Sequence, residues 1–362
     1  MSTSRRASRL QIDPWQAMAD GAEIARKLLT GASTLSRLRP QDVAVAPTPK
    51  DPVLRLDNAI LYHYRSIVER PFPIPVLISY AFFNRYYMID LHRDRSLVRS
   101  LLERGLDLYV IDWGYPGRVD RWLTIDDFVS GHIQDCVDFI DDRHQVDQVN
   151  LLGICQGGDL SLCYAALYPE RVKNLIVMVT PVDFEADQSV LARSIRALDV
   201  DELVAAQGNV SGDFVSLGFL MRGPFQRHFR KYVEMVDILD DERRVIDFLR
   251  MEKWIFDSPD QCGEAFRQWV KDFYQGNKLI KGELELGSRL VDLRRINMPV
   301  LNVYGEQDDI VPPETSAPLG GYVGTKDYTS LAYPVGHIGM YVSGKVQRDL
   351  PDALSSWIKE RE

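Results

Sequence analysis

Hydrophobic positions in this chain follow two alternating rhythms. Short, nearly continuous apolar runs, rich in β-branched and aromatic residues, read as buried strands: Val53–Tyr64, Val76–Tyr80, Leu106–Asp112, Val149–Ile154, Leu175–Thr180, Val300–Tyr304 and Tyr328–Tyr333. Between them, segments such as Asp90–Arg104, Ile125–Asp142 and Gly158–Tyr168 carry apolar residues at helical spacing. Strands without polar alternation belong in a sheet covered on both faces, and alternating β and α elements give a mostly parallel sheet flanked by helices. The expected fold class is α/β.

The rhythm lapses twice. Residues 14–38 space Trp15, Met18, Ile24, Leu28, Leu29 and Leu35 as one or two amphipathic helices would, and Pro40 to Pro52 reads as a proline-rich linker. Between Thr180 and Val300, about 120 residues show helical runs around 214–235, 240–256 and 262–275 but no clear strand; so long an insertion is expected to form a cap, or lid, over the carboxyl ends of the sheet. The expected organisation is a helical arm and linker over 1–52, a first core segment over 53–182, a cap over 183–297 and a second core segment over 298–362.

Composition narrows the partners. The 362 residues are 45% hydrophobic and 26% charged, as in ordinary globular chains, and the net charge of −9 argues against a nucleic-acid partner. Residues 1–40 hold seven basic and three acidic side chains, a mildly basic arm expected to be solvated. The paired Arg5-Arg6 is not followed by an apolar segment, so no export signal is expected, and no run approaches the roughly 20 apolar residues of a transmembrane helix. Four cysteines without a C-x-x-C pair suggest neither a disulfide scaffold nor a zinc site, and a reduced, cytoplasmic setting follows.

The strongest local signal is Gly153-Ile154-Cys155-Gln156-Gly157-Gly158, placed where a buried strand runs into a helix. This is the nucleophile-elbow arrangement of α/β hydrolases with cysteine in the serine position: a strained turn carries the nucleophile, and its close neighbours must lack side chains. At a helix amino terminus the dipole and free N–H groups favour thiolate. Cys136, Cys163 and Cys262 read instead as small buried hydrophobes. An elbow nucleophile is followed in the chain by an acid and then a histidine. Of six histidines only His337 follows the last strand, and His63, His92, His132, His144 and His228 read as surface or packing residues. Asp308, shortly after Val300–Tyr304, is the expected acid, with Asp309 and Asp183 as alternatives. The backbone N–H groups of Gln156 and Phe83 are the expected oxyanion hole. A cysteine nucleophile under a large cap favours thioester exchange, because an acyl-thioester stays ready for transfer while the cap keeps water out. The residues thus describe a cap-covered cysteine acyltransferase using Cys155, His337 and Asp308.

The Gly-x-Cys-x-Gly-Gly box of residues 153–158 resembles that of the polyhydroxyalkanoate synthases. So do Asn84-Arg85-Tyr86-Tyr87-Met88, residues 106–114 (Leu106 to Gly114), Thr180-Pro181-Val182-Asp183-Phe184, residues 254–260 (Trp254 to Asp260) and Gly336-His337-Ile338-Gly339. The length and short N-terminal region look like the class III catalytic subunit. Many family members have Asp-His where this chain has Asp308-Asp309. The resemblance implies an α/β-hydrolase fold and polymerisation of (R)-3-hydroxyacyl-coenzyme A, short-chain such as 3-hydroxybutyryl, with release of coenzyme A and no cofactor. It implies Cys155 as acyl-carrying nucleophile, His337 as base and Asp308 assisting activation of the 3-hydroxyl. It further implies a smaller second subunit, self-association as a dimer, and residence on polyester granules in the cytoplasm. Two other readings stay open: a cysteine-dependent α/β hydrolase of esters or thioesters, and an inactive granule scaffold.

Overall fold

Apolar runs that cannot face water must pair. In the computed structural model they pair into one eight-stranded sheet; the residues described are 14–220 and 230–362, so the first part of the basic arm and part of the 214–235 run lie outside them. The strands are β1 (Lys50–Leu56), β2 (Ala59–Tyr64), β3 (Val76–Ser79), β4 (Leu108–Asp112), β5 (Val149–Ile154), β6 (Val172–Met178), β7 (Val300–Gly305) and β8 (Tyr328–Tyr333). Their order is β1-β2-β4-β3-β5-β6-β7-β8. From β4 to β8 every pairing is parallel, while β1 and β2 form an antiparallel edge. Every residue of β3, β4 and β5 is buried, as strands covered on both faces require.

Several boundaries differ from the sequence reading, each for a local reason. The run Val53–Tyr64 is a hairpin, because Asp57, at φ 51°, turns the chain at Asp57-Asn58. The proline-rich linker ends early, since Lys50–Pro52 already pairs in β1. Asp90–Arg104 is a short strand pair, Asp90–His92 with Arg95–Ser96, followed by a helix over Leu97–Glu103 whose first turn Ser96 caps at Arg99 N–H. Ile125–Asp142 is a wide π-type turn over Asp127–Ile133 running into a helix over Gln134–His144.

The chain divides into two compact units, one built from the described residues of 1–44 and 223–252, the other from 45–222 and 253–362. In the first, one helix, Pro14–Arg37, takes the place of the expected one or two. Gly31 lets that helix lie against Leu239, Arg26 pairs with Asp240 at 3.1 Å, and Arg250 donates to the carbonyls of Asp42 and Ala44. The second unit holds the sheet and, from the expected cap, helices Val190–Arg196, Val200–Gln207, Gly212–Leu220 and Gly263–Gln268. Val200, Val204, Val210, Phe266 and Val270 form a small apolar cluster there. Two-residue strands at Glu285–Leu286 and Arg289–Leu290 interrupt a region expected to have no strand. Among the described residues no helix is long and apolar enough to cross a membrane.

Candidate active site

β5 ends at Ile154, and the helix Gln156–Leu167 begins two residues later. Cys155, between them, has φ 54° and ψ −127°, a conformation that costs an L-residue of order 1–3 kcal/mol and persists only where its surroundings impose it. The glycines show how tightly those surroundings close in. A Cβ on Gly153 would stand 2.5 Å from Gly158 Cα, one on Gly157 would overlap the Ser79 carbonyl at the end of β3, and one on Gly158 would overlap the Thr180 hydroxyl. The sharp turn is tied down by Cys155 N–H donating to Met178 O at 2.9 Å and Gly158 N–H donating to Cys155 O at 2.8 Å. Half-buried Cys155 therefore stands at a helix amino terminus, where first-turn N–H groups lack helical partners.

The other two groups come from loops after β7 and β8. Gly305, which a side chain would drive into the Val335 carbonyl, lets these loops touch. Asp308 Oδ1 accepts the N–H groups of Ile310 and Val311, both at 2.8 Å, while Oδ2 lies 2.7 Å from His337 Nδ1. Asp308 is 4% exposed and His337 7%. With Nδ1–H donating to the carboxylate, Nε2 is the basic nitrogen. Burial by itself lowers the His337 pKa, but the charge and hydrogen bond of Asp308, together with Cys155 beside the ring, outweigh it and raise the value to about 10. The imidazolium is thus the favoured form of the ring beside Cys155.

The structure brings Cys155, His337 and Asp308 together. It leaves the alternative acids apart: Asp309 is exposed, and Asp183 Oδ1 accepts from Asn277 Nδ2 at 2.8 Å. Gly157 packs on Ser79 and Tyr80, so the turn after β3 adjoins the Gln156 end of the helix. Phe83, in that turn, is half-buried among Phe82, Trp269 and Phe266, with ring centroids 5.7, 5.9 and 6.5 Å away. Cys136, Cys163 and Cys262 are buried, and burial pushes all three thiols up, Cys262 to about 12. Cys262 precedes its helix rather than lying within it.

Three neighbours of Cys155 escaped the sequence reading. Asp159 is fully buried, neither carboxylate oxygen has a hydrogen-bond partner, and burial, then Cys155, hold its pKa well above the usual carboxylate range. Tyr80 and Tyr341 are buried with ring centroids 6.4 Å apart, and burial followed by nearby charge keeps both phenols neutral. For two of them the signal was spacing: Asp159 and Tyr341 follow Cys155 and His337 by four positions, while nothing in the sequence marked Tyr80.

Sheet order, elbow and paired loops define an α/β hydrolase fold with cysteine in the nucleophile position. The alpha/beta hydrolase fold family matches residues 74–343. One solved neighbour is from work on the metagenome-derived lipolytic enzymes LipS and LipT (TM-score 0.52, 14% identity, 85% of this chain and all of that one). Another, a hydrolase from Pseudomonas aeruginosa, has TM-score 0.50 and 16% identity over 86% of this chain and 97% of that one. Both are alike in fold. Among curated proteins, the poly(3-hydroxyalkanoate) polymerase subunit PhaC of Synechocystis sp. is 54% identical over 347 residues, 94% of this chain and 92% of that one. Its namesake from Allochromatium vinosum is 47% identical over 354 residues, 97% and 99% of the two chains. The chain belongs to the poly(3-hydroxyalkanoate) polymerase PhaC family.

Proposed function

We propose that this chain polymerises (R)-3-hydroxyacyl-coenzyme A, 3-hydroxybutyryl-coenzyme A in particular, through an acyl-thioester on Cys155. The observation that carries the mechanism is the His337–Asp308 pair, bonded at 2.7 Å beside a cysteine in an elbow conformation. His337 Nε2 takes the Cys155 proton, and the sulfur attacks the substrate thioester carbonyl. The carbonyl electron pair moves to oxygen, towards the N–H groups of Gln156 and Phe83, and returns as the bond to the coenzyme A sulfur breaks. The imidazolium returns its proton to that sulfur, so free coenzyme A leaves. In elongation His337 takes the proton of a 3-hydroxyl, whose oxygen attacks an acyl-thioester. A new ester bond forms as a thioester bond breaks, and the thiol leaving group regains the proton. The reaction needs no cofactor.

Identity to PhaC subunits over nearly the full length supports the class III assignment, and with it a smaller second subunit, a dimer and a place on cytoplasmic polyester granules. The test is incubation with (R)-3-hydroxybutyryl-coenzyme A, following free coenzyme A and insoluble polyester together, with and without a class III partner subunit. Coenzyme A release matched by polymer is expected, at a rate the partner raises. Release accompanied only by free hydroxyacid would mean hydrolysis, and no release with this or a longer acyl chain would mean an inactive scaffold.

A further inference from the structure

Two histidines expected to be ordinary surface or packing residues meet on one carboxylate. Asp107, directly before β4, is 4% exposed, and its Oδ1 lies 2.7 Å from His63 Nε2 while Oδ2 lies 3.6 Å from His144 Nε2. One ligand atom from each of the three residues lies within 4.8 Å of the others. The residues come from different elements: His63 from β2, Asp107 from the entry to β4, and His144 from the last position of the helix Gln134–His144.

We propose that His63, Asp107 and His144 form a binding site for a divalent transition-metal ion of the zinc type. Two imidazole nitrogens and one carboxylate oxygen are a ligand set that zinc prefers, with ligand atoms about 3.3 Å apart once bound at roughly 2.0–2.1 Å. The spacing found here, 2.7 and 3.6 Å from the imidazole nitrogens to the carboxylate and within 4.8 Å throughout, spans that value. The set is oriented in advance: His63 stacks on Tyr109 with centroids 4.2 Å apart and planes within 8°. The Tyr109 hydroxyl lies 2.7 Å from His144 Nε2, so the same tyrosine holds both imidazoles in place. The carboxyl end of a helix favours a cation; Asp51, opposite His63 across β1 and β2, is already paired with Arg65 at 2.7 and 2.9 Å. The opposing charge, Arg143, is drawn over the Phe139 ring, 6.0 Å from its centroid.

The site lies at the amino end of β4, whereas Cys155 follows the carboxyl end of parallel β5, so the ion would staple β2, β4 and a helix rather than take part in acyl transfer. The test uses the full chain, stripped with chelator, loaded with zinc and desalted, with bound zinc counted per chain and thermal unfolding measured. Because the Cys155–His337 pair could itself take zinc, Cys155→Ala is compared with His144→Ala and the milder His63→Gln. One ion per chain is expected in wild type and Cys155→Ala, together with a zinc-dependent rise in Tm, and both are expected to vanish in the two histidine variants. Zinc lost in Cys155→Ala but retained in the histidine variants would overturn the proposal, as would less than one ion per wild-type chain at micromolar zinc.

Discussion

Replacing Asp308 by Asn tests the base directly, because the two carboxylate oxygens have separate tasks. Oδ1 accepts two backbone N–H groups, which only an oxygen can do, so in Asp308→Asn the side-chain carbonyl would keep that place and turn its NH₂ group towards His337 Nδ1. The ring would then accept at Nδ1 and carry its hydrogen on Nε2, towards the thiol, where a base is needed. The charge that favours imidazolium disappears as well. A His337 value raised from 6.5 to about 10 amounts to ~5 kcal/mol in favour of the protonated ring, and Asp308 provides the largest favourable contributions against burial. If the transition state feels most of this, kcat falls on the order of 10³-fold.

Initial rates of coenzyme A release, read with a thiol reagent between pH 6 and pH 10, give the value, and far-UV circular dichroism checks the fold. A loss below tenfold would refute the argument, because neither the tautomer nor the imidazolium charge would then matter. Unfolding supplies a second readout. A raised folded-state pKa means that the pair stabilises fully below about pH 6.5 and loses this contribution as pH rises towards 10. The Tm gap between wild type and Asp308→Asn is therefore expected to narrow as the solution becomes alkaline, and a gap that widens would contradict the sign.

Three further outcomes follow from the elbow. Cys155→Gly is expected to abolish coenzyme A release while raising stability by ~1–3 kcal/mol in denaturant unfolding, because glycine adopts φ 54° without strain; unchanged stability would mean that the turn stores none. Gly158→Ala is expected to cost more than ~3 kcal/mol or leave the chain insoluble, since the added carbon overlaps Thr180, and a soluble variant with wild-type Tm would refute the packing. Asp159 holds a proton that the unfolded chain releases, so its folded form loses up to ~1.4 kcal/mol per pH unit as pH rises above the ordinary carboxylate value. Asp159→Asn escapes that loss, and its Tm advantage is expected to be larger at pH 8 than at pH 5; a difference independent of pH would show an ionised Asp159.

What could be read from sequence was what short-range sterics and chain order determine. Gly153, Gly157 and Gly158 bracket a cysteine because each faces backbone or a hydroxyl too close for a side chain, a demand written within six positions. The parallel strands were legible because burial on both faces removes polar alternation from β3, β4 and β5. Elements on partly wet surfaces were not: the β1–β2 hairpin hides in an apolar run because only Asp57-Asn58 marks its turn, and the pair at Asp90–Ser96 has too few residues to set a period. Chemistry that depends on distant residues was least legible. Asp159 looks like an ordinary helix-start acid, since Asp and Glu favour a helix amino terminus, and only the folded packing removes every partner and makes it a neutral acid beside Cys155. His63 and Asp107, 44 positions apart, obey the same logic: each is ordinary in its own segment, and neighbouring strands give them a common purpose.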